Sequence, residues 1–406
     1  MTRLMITLGA PFYRHAGALY VERQSVKGLH GWNRHFDQVA ACSIVRDAPP
    51  PVDYDSALAL GLTAPAFDLI ALPDGFHLPT YLRERRAVRA RLLAAMRQSD
   101  YVSFAIGGWI GDWGVEGAGL ARRHGIAHAV WFDRVESQVV RAVAGEGLKS
   151  RLRSAIIARA ERRVLAGADL ALLHGQTVLQ ALGPLTRNPH LVEDVLIEDS
   201  DHIPADALTA KQAALAAGPL RIAYAGRAHP MKGGLDWVEV LGLLAAQGTD
   251  FTAAWAGEGD QAPAMQARIA ELGLSDRVRM HPFIADRGQV LAFLRAAHVL
   301  LFCHMTDESP RILIESLHSG TPLAGYGDPF ARGLADEQGA GRLVARGDRV
   351  GLAAALAALA ADRTQLADLV DRADRSARHL TLSQVYAHRS AIIKSQLNPK
   401  GGKPHG

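Results

Sequence analysis

The chain reads as an α/β protein built from two doubly wound, Rossmann-like domains that face a cleft. Three observations predict this. The 406 residues exceed the usual size of one domain, and a 49% hydrophobic composition is enough for two cores. Short apolar runs alternate with helix-period segments throughout, the pattern of parallel strands joined by helical crossovers. The alternation lapses once, around 185–219, and then begins again.

In the first series, "RLMITLGAPF" reads as a buried strand ending in a glycine turn, and "FDLIALP", "YVSFAIGG", "IAHAVWF" and "ADLALLHG" read as further strands. Between them, segment 81–98 sets Val88, Leu92 and Met96 on one face and Arg83, Arg86 and Arg97 roughly opposite, as an amphipathic helix requires. Segment 185–219 is expected to hold a connection, a short strand and a polar linker. The second series has strands at "LRIAYAG", "FTAAWAG", "VRMHPF", "HVLLFC" and "TPLAGYG". Its helices fall at "GGLDWVEVLGLLAAQG", "APAMQARIAELG", "RGQVLAFLRAA" and "RILIESLHSG". These boundaries give a first domain at 1–200 and a second at 219–379. Only the tail "NPKGGKPHG" looks disordered.

Composition narrows the function classes. Lys and Arg total 45 against 41 acids, a net charge of +4, which favours local basic faces for anionic ligands and is too small to make nucleic acid a main partner. Cys42 and Cys303 are far apart and lack metal-ligand spacing, which argues against a disulfide scaffold or structural zinc and fits a reducing cytoplasm. No signal peptide opens the chain, and the longest apolar run, "GLAAALAALAA" at 351–361, is too short to cross a bilayer. Any membrane contact is therefore expected to be peripheral. The basic segments 81–98 and 149–163 suit an anionic inner leaflet, and equally suit the solvated faces of sheet-packing helices.

Each strand end of the second series carries residues suited to an anion. "RAHPMKGG" supplies Arg227 and Lys232 in a flexible turn, and "EGD" sets Glu258 between Gly257 and Gly259, which permit close backbone approach. Ser309 suits an N-cap and Pro310 a first helical position, so the amides that follow, including that of Arg311, are available to negative charge. Glu315, inside an apolar helical run, has a bland reading as a half-buried acid paired with an arginine. It is the joint placement of these groups on successive strand ends that points to a site.

"AGRAHPMKGG", "AGEGD" and "FCHMTDESPRILIESLHSGTPLAGYG" together resemble the donor-binding half of the retaining glycosyltransferases of family 4, the glycosyl transferases group 1, which have the two-Rossmann GT-B fold. The resemblance covers roughly 219–379 and is looser in the first half. It implies that Arg227 and Lys232 neutralise the diphosphate of a nucleotide sugar, that Glu315 holds the ribose hydroxyls, and that backbone amides around Ser309 and Arg311 touch sugar and phosphate. It also implies an acid that holds a donor-sugar hydroxyl. The family spacing puts this acid at Asp307, whereas the family identity, glutamate, sits one place later at Glu308, the residue favoured here.

In the first half, the resemblance makes Asp133 in "AVWFDRVES" a candidate at the cleft; its bland alternative is a helix N-cap. It also makes Gly17 in "GAPFYRHAGALYVE" the best match to a glycine-rich acceptor and phosphate loop. The acid pairs "DYD" at 53–55 and "DSD" at 199–201 are poorly placed for a metal. Segment 380–397 matches the family habit of sending a last helix back to the first domain.

The implied protein is a metal-independent retaining transferase without a cofactor, acting from a nucleotide diphosphate sugar onto a glycan, polysaccharide precursor or lipid-linked acceptor. It is expected in the cytoplasm, or on the inner face of the membrane. A sugar-nucleotide epimerase and a catalytically silent sugar-nucleotide binder are the alternatives.

Overall fold

The computed structural model describes residues 1–108, 110–144, 147–307, 309–336 and 339–397. The chain divides into two compact units, one of Met1–Leu196 with the segment from Ser383 onward, the other Ile197–Leu382.

In unit 1 the strands are β1 (Arg3–Thr7), β2 (Phe12–His15), β3 (Ala18–Glu22), β4 (Gln38–Arg46), β5 (Tyr54–Ser56), β6 (Phe67–Pro73), β7 (Tyr101–Ala105), β8 (Ala129–Phe132), β9 (Leu170–His174) and β10 (Pro189–Val192). Among the described residues they form one sheet whose parallel part runs β10-β9-β8-β7-β1-β4-β6. Chain order reverses between β1 and β7. Parallel strands are covered on both faces, which is why they read as apolar runs rather than alternations. Leu4, Met5, Val39, Ala40, Val102, Phe104 and Val130 are all essentially inaccessible to solvent. On the helix Leu78–Arg97 the buried side is Tyr81, Val88, Leu92, Ala95 and Met96.

The first loop differs from its sequence reading. "GAPFYRHAGALYVE" folds as the antiparallel hairpin β2–β3, extended by β5, with Gly17 at its tip. Ala16 and Gly17 take φ of 49° and 77°, the two left-handed residues a tight hairpin turn demands. Gly17 thus serves the turn, and the stretch expected as a glycine-rich loop forms paired strands in which Tyr13 lies opposite Tyr20 and Arg14 opposite Leu19.

Unit 2 contains β11 (Leu220–Ala225), β12 (Phe251–Ala256), β13 (Val278–His281), β14 (Val299–Phe302), β15 (Leu323–Tyr326) and β16 (Gly341–Val344). These are all parallel, in the order β13-β12-β11-β14-β15-β16. Order reverses between β11 and β14, and the crevice at the carboxyl ends of such a pair is where open α/β sheets bind ligands. Tyr224 on β11, Trp255 on β12 and Trp237 on the helix that follows β11 pack together, with ring centroids 4.2 Å apart for Tyr224–Trp255 and 5.5 Å, edge to face, for Trp237–Trp255. Each such fully buried aromatic contributes on the order of 1.5–3 kcal/mol or more.

The expected polar linker is instead the helix Ala205–Ala214, which belongs to unit 2. Lys211 anchors it, with its ammonium 3.1 Å from the Ser319 carbonyl. The unit's ends are tied together, since the Leu382 amide donates to the Ile197 carbonyl at 2.6 Å. The last helix, Leu382–Gln396, inserts Arg389 of unit 1 between Trp131 and Tyr386, 4.9 and 5.3 Å from their ring centroids.

Candidate active site

The loops after β11, β12 and β14 are knitted together by backbone hydrogen bonds. The Gly226 amide donates to Ala256 O, Ala228 N to Glu258 O, and Gln261 N to Ala228 O, each at 2.9 Å. Met305 N likewise donates to Met231 O at 2.9 Å, which fastens the first loop to the end of β14. Such close backbone contact needs glycine. A Cβ on Gly233 would lie 1.9 Å from the Cys303 carbonyl oxygen, and one on Gly257 would lie 2.1 Å from that of Gly226. Gly233 also has φ +65°, left-handed, between a 3-10 turn (Pro230–Lys232) and the helix Gly234–Ala246.

This lattice sets Arg227 and Glu258 in exposed positions and Lys232 in a half-buried one. Lys232 lies near His304, a fully buried residue whose Nε2 is 2.8 Å from the Tyr224 hydroxyl. Burial, and secondarily the Lys232 charge, holds His304 well below the ordinary imidazole range, so it is neutral. The crevice therefore keeps one positive charge at this point.

The helix after β14 is Arg311–His318, with Pro310 as its N-cap and no side-chain cap. The expected N-cap Ser309 and first-turn Pro310 are thus each displaced by one place. Pro310 takes extended angles (φ −78°, ψ 120°) in which it precedes the helix. Glu315 lies one turn down and is half-buried. Its Oε1 is 3.2 Å from Arg287 Nη1, and Arg287 Nε is also 3.2 Å from Asp201 Oδ2. Burial raises the Glu315 carboxyl above its ordinary range, while Arg287 and Arg311 oppose that shift. The bland sequence reading of Glu315, an acid paired with an arginine, is therefore present in the structure.

Of the two candidate sugar-contacting acids, Glu308 lies outside the described residues. Asp307 follows β14 and pairs with Arg346, which follows β16. Asp328, after β15, is buried beside them. Burial first, and then the Asp307 charge, raises its carboxyl to about 6. Sequence reading did not single out Arg287, Asp328 or Arg346. Their one available signal was position, since each is a charged residue soon after a strand.

In unit 1, Asp133 sits just past β8, two residues ahead of the N-cap position of the helix Glu136–Ala144, so capping does not account for it. Its side chain is exposed, yet the protein packed around it raises its carboxyl. Nearby at the strand ends, Glu193 carries a buried carboxylate oxygen 3.6 Å from His174 Nδ1, and burial raises it to about 7. The two acid pairs have structural partners. Asp55 pairs with Arg23 at 3.1 Å, and Asp201 closes a capping box with Glu198.

Residues 208–378 match the family model described as Glycosyl transferases group 1. A curated relative, the 2-deoxystreptamine glucosyltransferase of Streptomyces kanamyceticus, is 32% identical over 197 residues, 47% of this chain and 50% of that protein. The chain thus spans about half the length of the curated relative it matches. Among solved structures, Anabaena Alr3699/HepE in complex with UDP is 15% identical with a TM-score of 0.68, over 97% of this chain and 100% of that one. The same Anabaena protein in complex with UDP-glucose aligns with a TM-score of 0.63 and 14% identity, over 97% and 100%. Sucrose-phosphate synthase from Thermosynechococcus elongatus is 16% identical with a TM-score of 0.67, over 97% and 99%. These likenesses show the fold, which is that of GT-B glycosyltransferase structures.

Proposed function

We propose that this protein is a retaining, metal-independent glycosyltransferase that moves a sugar from a nucleotide diphosphate sugar to a hydroxyl-bearing acceptor, either a glycan, a polysaccharide precursor or a lipid-linked one. The observation that carries it is the knitted lattice at the β11/β14 reversal. It fastens the loop that carries Arg227 and Lys232 to the segment leading from β14 into the helix Arg311–His318, on the stretch that matches the family model. The UDP and UDP-glucose complexes of the Anabaena protein support a uridine diphosphate sugar as donor.

In this reading the departing diphosphate is the main electrostatic demand. Arg227 and Lys232 meet it with charge, amides at Glu258, Ser309 and Arg311 meet it with backbone donors, and Gly257, whose own amide donates to the His281 carbonyl at 3.0 Å, allows the close approach. Glu315 accepts hydrogen bonds from the ribose. Asp307 or Glu308 holds a sugar hydroxyl as positive charge develops on the anomeric carbon. Asp133 serves the acceptor side. The leaving phosphate helps deprotonate the acceptor hydroxyl on the face from which it departs, so configuration is retained, and no cofactor takes part.

Peripheral contact with an anionic membrane belongs to the same reading. Leu148 and Leu152, one helical turn apart, are 85% and 65% exposed among Lys149, Arg151 and Arg153. Co-sedimentation with anionic but not neutral vesicles, lost in Leu148→Ser/Leu152→Ser, is the expected result.

A panel of radiolabelled nucleotide sugars tests the activity. Transfer, or slow release of free sugar, is expected. Isomerised nucleotide sugar would mean an epimerase, and binding without turnover a silent binder.

A further inference from the structure

The carboxyl ends of β14, β15 and β16 bring three charged side chains together. Arg346 Nη2 donates to Asp307 Oδ1 across the end of the intervening strand. Asp328 lies there, 4% exposed, with Oδ1 accepting the Ala331 amide at 2.7 Å and Oδ2 meeting no donor among the described residues. Asp307 and Arg346 act on Asp328 in opposite senses, so the guanidinium serves two carboxylates from neighbouring strand ends.

The surrounding charges do not replace it. Arg332 packs against Gly327, and Asp236 is already engaged by the Tyr326 hydroxyl at 2.6 Å and by Arg349 at 3.9 Å. Asp328 is buried while Asp307 and Arg346 are exposed at its mouth, and neighbouring carboxylates ionise together more readily with a cation beside them. Arginine suits this position because its charge is permanent and its planar fork fixes direction as well as potential. A carboxylate held through one oxygen also favours one direction for the other, so less rotamer freedom is left to lose when a ligand hydroxyl arrives.

We infer that Arg346 is a positioning residue of the donor site: it orients the Asp307 carboxylate toward the donor sugar and balances the charge of the Asp307–Asp328 pair. This rests on the sugar-nucleotide reading of the site, taken with Asp307 rather than Glu308 as the acid that meets the sugar. Arg346 does not touch the nucleotide, and it acts on sugar transfer through Asp307.

The test uses the full chain and Arg346→Gln, Arg346→Lys, Asp307→Asn and the Arg346→Gln/Asp307→Asn double variant. UDP affinity is measured by calorimetry, and turnover of UDP-glucose, or of the donor that the panel identifies, is followed from pH 5 to 9. Arg346→Gln should lower turnover at least tenfold and leave UDP affinity within twofold. Arg346 lowers the Asp328 carboxyl, so without the cation that carboxyl should hold its proton to higher pH and the acid limb of the turnover profile should move upward. Arg346→Lys should restore the limb and part of the rate. In the Asp307→Asn background, loss of Arg346 should cost nothing more.

Parent-like turnover and pH profile in Arg346→Gln would overturn the inference, as would a fall in UDP affinity matching the fall in turnover, or an equal loss in the Asp307→Asn background. If Arg346→Gln does not fold, Arg346→Lys decides: lowered turnover on an unmoved acid limb supports the inference, and the parent rate refutes it. A parent protein that binds no nucleoside diphosphate would instead refute the functional reading itself.

Discussion

Replacing Glu315 with glutamine separates its two readings, because stability and binding should then move apart. Burial is the main influence on the Glu315 carboxyl and raises it, so the fold disfavours the ionised form. A carboxylate whose folded value lies above its unfolded one contributes less stability as pH rises through that interval, and at neutral pH it is a burden on folding. Glu315→Gln removes that burden. It also weakens the contact to Arg287, yet the glutamine oxygen still accepts from Nη1 and Asp201 still holds Nε. A charge-assisted hydrogen bond of about 1.5–3 kcal/mol is traded for relief of a desolvation cost of similar order, so the net change should be small.

For a unit of this size, about 1 kcal/mol moves the melting temperature by about 2–4 °C, and the variant should stay within that range. Binding should not be spared. If the carboxylate accepts the ribose hydroxyls, its loss costs about 1.5–3 kcal/mol, or about 10–150-fold in UDP affinity by calorimetry. The parent should also discriminate against 2′-deoxyuridine diphosphate, and the variant should not. A variant that melts several degrees lower yet binds UDP as the parent does would refute the ribose assignment and leave Glu315 as the partner of Arg287.

Arg227→Ala and Lys232→Ala should each weaken UDP binding by about 1.5–3 kcal/mol in the same titration, with melting unchanged because both residues lie in a turn. Gly233→Ala should lower both UDP affinity and melting temperature. Its Cβ would meet the Cys303 carbonyl, in addition to left-handed strain of about 1–2 kcal/mol. Gly248→Ala, at φ +74° with nothing within 4 Å, should show the strain alone in a parallel melt. Glu193, raised by burial from 4.5 to about 7, gives stability that is present at low pH and lost as pH rises across that window. A melting-temperature profile should therefore fall between those values in the parent and be flatter in Glu193→Gln.

The strands with dense aliphatic runs were legible, and β6 at Phe67–Pro73 coincides with "FDLIALP". Others were not, for definite reasons. β4 opens on Gln-Val-Ala-Ala-Cys, small residues whose strand character comes from being buried at the centre of the sheet. β16 has only four half-buried residues. The helix Ala205–Ala214 looked like linker because its sequence is short of large apolar residues, and it is tied down through Lys211 instead. In the candidate site, successive strand-end loops and the family resemblance singled out Arg227, Lys232, Gly257 and Glu315 from the sequence. Pairs across strands, such as Asp307 with Arg346 or Glu315 with Arg287, follow from sheet order, which sequence periodicity does not encode.

The hydrogen bond from Leu382 to Ile197 makes unit 2 a module whose entry and exit coincide. A segment whose two ends touch can be joined by a short bridge, reopened at an exposed turn such as Gly248, or exchanged for another such segment without stretching its host. The half carrying Arg227, Lys232 and Glu315 is therefore a portable cassette. A recombination event with breakpoints near 197 and 382 would replace these residues while every strand pairing of the larger sheet stayed in register.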